Sequence, residues 1–415
     1  MLTESQVVAT EIERVAPKVP TLFDRDSVFY ATIEKRDVEK ISARDMRIPL
    51  EIRPGGNFGH YDPDGGDLGL GDGPTFDKAV INTVHLRHAI QWTKKSEWAT
   101  DDARKAVLNT FRHLMAKSMS EFRRQVDSLT MTAGDGAVGT VTSVSTTAGV
   151  DTVTCTTDGF GTRLLRFGQY VNIYNAALTT NRTAGAERKI SAHDLVNKTF
   201  AIPSVTGMIG TDRVVISGLT ATPPVSLFGV PYHHSNASTG TWLGFPRSTT
   251  PEIRANRVNA AGNLALSHSR LALNRIGDRV GIENGFNPTA WMHPCQVQAY
   301  EALGQLVSVI NKTAGETGLN MYFNDNMRLA GAAIRKSFSW DKTRIDFVIP
   351  EVWGRAELHP AGFYEVDGRK LFEIRGASGG VASSQVFYLV ASFNFFVNNP
   401  AACAYIDGLT VPSGY

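Results

Sequence analysis

The sequence predicts an α+β protein built on one long helix, and three neighbouring stretches carry that expectation. From Thr100 to Ala133 the chain runs without Pro or Gly. Just before it lies a segment whose middle is dominated by Gly and Asp. Just after it the composition turns to alternating Thr and Val.

The helix follows from periodicity. Ala103, Val107, Phe111, Leu114, Met115, Phe122, Val126 and Leu129 fall on one helical stripe. Thr100 suits the N-cap, Asp101 and Asp102 suit the positive end of the dipole, and Gly134 supplies a stop. At about 1.5 Å per residue such a helix is roughly 50 Å long, which suits scaffolding better than the wall of an active site.

The elements before it follow in order. Residues 1–40 read as an arm, with Pro17 and Pro20 and a short helix over Ser27–Lys35. DMRIPLEIR at 45–53 reads as a strand. PGGNFGHYDPDGGDLGLGDGP at 54–74 reads as a loop. Residues 78–97 read as the returning strand, with Val80, Val84, Leu86, Ala89 and Trp92 as its apolar points. A two-stranded ribbon is marginal alone in water, so this one is expected to lie on something else, such as a neighbouring subunit.

After the helix, residues 138–157 have period-2 strand character. Further strands are expected at Gln169–Tyr174, Lys198–Ile202 and Asp212–Ser217, giving an inserted small β-barrel or sandwich domain at 135–221 that ends before Pro223-Pro224. Beyond it, Val258, Ala261, Ala265, His268, Ala272 and Ile276 predict a helix ending near Gly277–Gly281. Pro294 opens a second helix carrying Val297, Tyr300, Leu303, Leu306 and Ile310. Strands are expected at Asp346–Val352 and Gln385–Val397, the latter apolar enough for a buried central strand.

Composition narrows the function. Charged residues make up 20% and the net charge is +2, which argues against a dedicated nucleic-acid binder. Three scattered cysteines fit a reducing compartment and lack metal-ligand spacing. The N-terminus lacks signal-peptide character, and no apolar run is long enough to span a membrane. The expected compartment is a cytosol, and no membrane partner is expected.

The order of arm, glycine-tipped hairpin, long helix, β insert and α/β segment resembles the major capsid proteins of tailed bacteriophages, with the Hong Kong 97-type fold. The segments that carry the resemblance best are YLVASFNFFVNNPAACAYIDG at Tyr388–Gly408, NPTAWMHPCQVQAYEAL at 287–303 and IDFVIPEVWG at 345–354. The resemblance implies a 1–40 arm, an extended loop at 41–99, a peripheral-domain spine helix at 100–134 and the inserted domain at 135–221. It then implies a return to the peripheral domain at 222–252, and at 253–415 an axial domain with the remaining peripheral strands. It also implies a virion subunit, assembled in a host cytoplasm, that forms the hexamers and pentamers of an icosahedral shell around double-stranded DNA. Portal and scaffolding proteins would be partners, with a decoration protein a further candidate and only nonspecific contact with packaged DNA. The tip at 54–74 contains no lysine, so the covalent crosslinking of some family members is not carried over.

Individual motifs point the same way. Asp62, Asp64, Asp67 and Asp72 offer oxygen ligands among glycines, but their spacing departs from a calcium loop. With Phe58 and Tyr61 they read as an acidic contact surface. His85 and His88 face opposite sides of a strand, and His233-His234 read as ordinary surface or interface residues. Ser378-Gly379-Gly380 lacks the nucleophile elbow. Glu351 and Glu357 have nothing that fixes them as an acid/base pair. Arg104, Arg112, Arg123 and Arg124 form a candidate interior basic face on the long helix. No cofactor, metal or catalytic residue is expected. The competing readings are a cytosolic enzyme with the β domain as a substrate cap, and a surface-layer or adhesive β protein.

Overall fold

In the computed structural model, the residues described are 28–35, 39–40, 45–60, 63–64, 69–93, 118–156, 159–219, 221–281, 287–310, 328–367, 369–375 and 381–415. They fall into two compact units. The first draws on Met1–Ala31, Thr83–Asp127 and Glu357–Phe393, and the second on Thr32–Asn82, Ser128–Ala356 and Asn394–Tyr415.

The first unit is organised around the part of the strand Val381–Val397 up to Phe393; Trp353–Phe363, Phe372–Arg375 and Val84–Thr93 all pair with that strand. Its alternating aromatic and aliphatic residues bury Phe387, Leu389, Ala391 and Phe393 on one face. Val84–Thr93 runs antiparallel to it, from Val84 opposite Phe393 to Thr93 opposite Ser384. The sequence suggested one returning strand over 78–97. The chain instead breaks at Thr83, and only Thr75–Asn82 stays in the hairpin while Val84–Thr93 joins this second sheet.

The long helix is seen over 118–129. Phe122 and Val126, one turn apart, are buried. Its expected part at 100–117 lies outside the described residues. It stops four residues short of Ala133. Met131 N–H and Thr132 N–H turn back to the carbonyls of Ser128 and Leu129, and the Thr132 hydroxyl also donates to Leu129 at 2.8 Å. These local bonds compete with the helical ladder. The short helix Val28–Thr32 docks through the Asp127 carboxylate, which accepts the N–H groups of Phe29 at 3.2 Å and Tyr30 at 3.3 Å.

The second unit holds a hairpin, a small barrel and a six-stranded sheet, beside the short ribbon of Thr241–Trp242 and Phe245–Pro246. The hairpin pairs Asp45–Arg53 with Thr75–Asn82, from Asp45 opposite Asn82 to Arg53 opposite Thr75. A seven-strand path then covers 137–216, and Arg188–Lys189 and Ala192–Asp194 are its two ends. Only Ile190 and Ser191 separate those ends. Ile190 bonds to Gly168 and Gln169 on one side and Ser191 N–H donates to Ala201 on the other, so the sheet closes into a small barrel. Val141, Val153, Cys155, Val171, Ile173, Ile190, Phe200, Ile202 and Val214 fill it. Closure leaves few open edges.

The six-stranded sheet has the order Asn256–Gly262, Ala404–Leu409, Ile345–Val348, Thr289–Met292, Ala332–Lys336, Arg328–Leu329. Helices Leu266–Val280 and Pro294–Ile310 accompany it. Its core includes Val258, Ile276, Met292, Val297, Phe347 and Ile406. The expected helix from Val258 proves to be two elements. Asn256–Gly262 is a strand parallel to Ala404–Leu409, and the helix begins only at Leu266. Pairing with a distant strand overrides the local spacing. Likewise the strand expected over Asp346–Val352 stops at Val348, and Pro350–Val352 forms a 3₁₀ turn.

Candidate assembly surface

The hairpin projects from a firm root. Val80 N–H donates to the Leu243 carbonyl at 2.9 Å, and the Asn394 amide donates to the Asn82 carbonyl at 2.7 Å. At the far end of the ladder Arg53 pairs with Glu252 at 3.3 Å and donates to the Thr249 carbonyl at 3.4 Å. Ala79 and Ile81 are fully buried at the root.

Beyond Arg53 the environment changes. Every described residue from Arg53 to Lys78 is exposed. Gly56 N–H donates to the Asp72 carbonyl at 2.7 Å and the Asn57 amide donates to the Leu70 carbonyl at 3.4 Å, so the two legs stay together as a neck. At Gly55 a Cβ would collide with the backbone of Asp72 and Pro74, and only glycine allows this approach. Phe58 is 99% exposed and Leu70 is 94% exposed. Two large apolar side chains are thus held almost wholly in water at the tip.

Of the residues singled out for this surface, Phe58, Asp64 and Asp72 are exposed at the tip. Tyr61, Asp62 and Asp67 lie outside the described residues. Leu70 and Phe76 are also exposed here, and a Leu between two glycines at a loop tip is itself the sequence signal for the first of them.

The proposed basic face on the long helix is not continuous where it can be seen. Arg123 is exposed, but Arg124 is buried and paired with Glu121 one turn earlier. Successive positions on a helix point about 100° apart, so both cannot lie on one outward face. Arg104 and Arg112 lie outside the described residues, as does Ser378-Gly379-Gly380. Asp127 on the same helix is buried, and burial raises its carboxyl to about 6 against the two backbone N–H bonds that lower it.

A different basic cluster does form. Arg254 and Arg257 flank and enter the strand Asn256–Gly262, while Arg275 and Arg279 sit one turn apart on the helix Leu266–Val280. Backbone carbonyls hold all but one of them. Arg254 donates to Arg247 O at 2.8 Å, and Arg275 donates to Arg257 O. Arg279 donates to Glu252 O at 3.0 Å and Pro251 O at 3.2 Å. Arg257 pairs with Asp407 at 2.8 Å. Carbonyl contacts orient a guanidinium without cancelling its charge.

The two adjacent histidines depart from the expectation of surface or interface residues, for both are fully buried within the subunit. His233 accepts from Trp242 Nε1 at Nδ1, 3.1 Å, and its Nε2 donates to the Phe395 carbonyl at 3.2 Å. Burial pushes its pKa down to about 3, so the ring stays neutral. His234 Nδ1 donates to Asp346 at 2.9 Å, and burial lowers its pKa against that carboxylate's pull. Asp346 also accepts from Trp340 Nε1 at 3.0 Å and from Arg344 at 2.7 Å. Burial alone would raise the Asp346 carboxyl, but Arg344 and His234 outweigh it and hold it low. The carboxylate, both indole N–H groups and three of the four imidazole nitrogens are thus engaged with neighbours, while His234 Nε2 is buried without a hydrogen-bond partner.

His85 is exposed and bonds Ser392 at 2.7 Å, while His88 points to the other side of its strand and is half-buried. Among the described residues no group of three His, Cys, Asp or Glu side chains could hold a metal ion, and no helix is long and apolar enough to cross a membrane.

No protein-family profile matches the sequence, and no curated protein matches it. Among solved structures, the capsid asymmetric unit of cyanophage A-1(L) matches with a TM-score of 0.55 at 10% identity, covering 96% of this chain and 99% of that chain. The holo-SrpI encapsulin complex from Synechococcus elongatus PCC 7942 gives 0.48 at 8% identity, covering 98% and 96%. The capsid of an empty GTA particle gives 0.47 at 12% identity, covering 98% and 100%. The likeness to the cyanophage subunit shows the fold: the chain has the Hong Kong 97-type architecture of phage capsid proteins.

Proposed function

We propose that the protein is a structural subunit of a virion shell, assembling into hexamers and pentamers of an icosahedral capsid that encloses double-stranded DNA. The observation that carries this reading is the hairpin. In a chain with a capsid fold, a rooted ribbon holds Phe58 and Leu70 almost wholly in water. Neither side chain gains burial within its own subunit, so a neighbouring subunit supplies it. Repeating this overlap around closed symmetric rings turns many modest contacts into a stable shell.

The reading asks for no catalysis. The buried polar groups described above, His234 Nε2 apart, are engaged with neighbours, and the buried thiols Cys155, Cys295 and Cys403 are all raised in pKa by burial and poorly suited to nucleophilic chemistry. Portal and scaffolding proteins belong to the same reading as partners. So does nonspecific contact between the shell's inner face and packaged DNA.

Negative-stain electron microscopy of the purified protein tests it. The expected result is polyhedral particles or hexameric and pentameric rings. Deleting residues 56–72 removes the tip beyond the neck and leaves every buried core residue in place. That variant is expected to remain folded and to lose stable particles. Normal particles from the deletion variant would refute the role given to the hairpin.

A further inference from the structure

We propose that Arg163 is a latch that sets the tilt of the inserted barrel against the six-stranded sheet, and that the barrel swings about its two connecting segments when the latch opens. The inference concerns a single subunit and stands whether or not that subunit builds a shell.

The latch is anchored on both sides. On the barrel, the preceding Thr162 donates through its hydroxyl to the Asp194 carbonyl at 3.3 Å, and His193 Nε2 donates to the Thr162 carbonyl at 2.9 Å. Leu164 and Leu165, next in the chain, are buried. On the other side, Trp340 stacks on Trp291 with ring centroids 5.4 Å apart and donates to Asp346 at 3.0 Å, and Ser337 N–H donates to the Met292 carbonyl at 3.1 Å. The loop 337–341 is thus fixed to the sheet. Arg163 spans the two bodies. Its Nε donates to the Phe160 carbonyl at 2.9 Å and its Nη2 to the Gly159 carbonyl, both on the barrel. Across the seam Nη1 donates to the Phe338 carbonyl at 2.8 Å and Nη2 to the Trp340 carbonyl at 3.0 Å. A planar fork of donors holds carbonyls on two bodies at once in a fixed geometry, which a single ammonium on a flexible stem does not.

The rest of the seam is built to part. A cavity of about 190 Å³ runs between the two bodies, with Ala133 and Asp135 on the entering segment, Phe160 and Arg213 on the barrel, and Asp341 and Arg344 on the sheet side. A space of this size with charged walls admits water, so opening it forfeits less contact than opening a close-packed core. The entering and leaving segments run side by side. Ala133 bridges Phe228, and Ser226 N–H donates to the Gly134 carbonyl at 2.8 Å. Gly134 takes a φ of +88°, and the leaving chain is exposed over 221–223. Two adjacent segments without regular structure, one of them turning on a glycine, absorb rotation as a hinge does. The barrel closes on its own buried core, including Val153, Ile173, Phe200 and Val214, so it turns as one body.

Arginine keeps its charge and carbonyls do not titrate, so protonation does not work this latch. It opens when load on the barrel outweighs the bonds across the seam. Latched and open forms then give one sequence two shapes that differ by rotation of a body and not by repacking.

Spin-label distance measurement on the full chain, kept as dissociated subunits, tests the inference. Cys155, Cys295 and Cys403 are buried, so labels go to introduced thiols. Thr147→Cys and Val196→Cys place them on exposed turns at opposite ends of the ladder that pairs Val150–Cys155 with Thr199–Pro203, and each is combined with Ser267→Cys on the exposed side of the helix Leu266–Val280. With Arg163 in place, each pair is expected to give one narrow distance. Arg163→Ala is expected to spread that distance at least about two-fold in width, and Arg163→Lys, which keeps donors without the fork, to fall between. Hydrogen exchange of the barrel strands is expected to stay within about two-fold of the parent, the mark of a barrel that has moved and not melted. Unchanged widths in Arg163→Ala, or a parent already as broad, would overturn the latch. So would faster exchange throughout the barrel strands, because Arg163 would then hold the barrel's fold and not its position. If Arg163→Ala does not fold, Arg163→Lys decides by the same criteria. Particle formation is not read, so a failure of the shell reading and a failure of the latch remain distinct results.

Discussion

Asp127 lets the docking of the N-terminal segment be tested with a single substitution. Its carboxylate is buried beneath the start of the helix Val28–Thr32, and desolvation raises its pKa from 3.8 to about 6. In a carboxylate of this kind the folded state holds a proton between about pH 4 and 6 that the unfolded chain has already lost. Stability from this group is therefore fully present below 3.8 and is lost as pH rises through 6. A shift of about two pKa units at about 1.4 kcal/mol each gives a total near 3 kcal/mol. Asp127→Asn keeps an oxygen for the N–H groups of Phe29 and Tyr30 but cannot ionise. Urea unfolding of the dissociated subunit at pH 4 and pH 7 measures the effect as the difference between parent and variant, which cancels other titrating groups. The variant is expected to gain up to about 3 kcal/mol on the parent between those two pH values. A difference that stays constant with pH would show that the charge of Asp127 is not what burial opposes, and the argument would fail.

Other substitutions probe the second unit and the tip. Asp346→Ala leaves the half-buried Arg344 without its carboxylate and strands the buried His234 and Trp340, so a loss of about 3 kcal/mol is expected in chemical denaturation; a loss below about 1 kcal/mol would contradict the network. Gly229→Ala drives a Cβ into the carbonyls of Thr130 and Thr132, and overpacking against backbone is expected to cost about 2 kcal/mol or more, read as a lowered Tm. Phe58→Ser with Leu70→Ser changes two side chains that are almost wholly exposed. Its unfolding free energy is expected to stay within about 0.5 kcal/mol of the parent, while particle yield by light scattering drops sharply.

Elements that depend on local chemistry were legible in the sequence. The strand Asp45–Arg53 has its expected bounds, because its alternation ends in a run of Gly and Pro that no ladder continues. The helix Pro294–Ile310 begins where proline favours a first turn. What depends on distant partners was not legible. Val258 and Ala261 fit a helical stripe with Ala265, but the neighbour that makes them a strand lies at Ala404–Leu409. His233 and His234 look like any exposed pair until Phe395 and Asp346, more than a hundred residues away, enclose them. Arg124 looked like one more basic residue because a helix face can be drawn from sequence only when both its ends and its packing side are known.

The same division runs through the assembly surface, and it explains why one half was easier to find than the other. A tip must be exposed, polar and tightly turned whatever it binds, so its composition announces it. The cluster of Arg254, Arg257, Arg275 and Arg279 is assembled from a strand, a helix and backbone carbonyls that meet only on folding, so no run of residues announces it. Burying Phe58 and Leu70 is worth about 1.5–3 kcal/mol each, and an exposed ion pair adds at most about 1 kcal/mol. The apolar pair therefore supplies most of the affinity expected of the overlap. Contacts this modest do not hold two copies firmly on their own. They suit a subunit that must be corrected while a shell closes and is held only once every neighbour is in place.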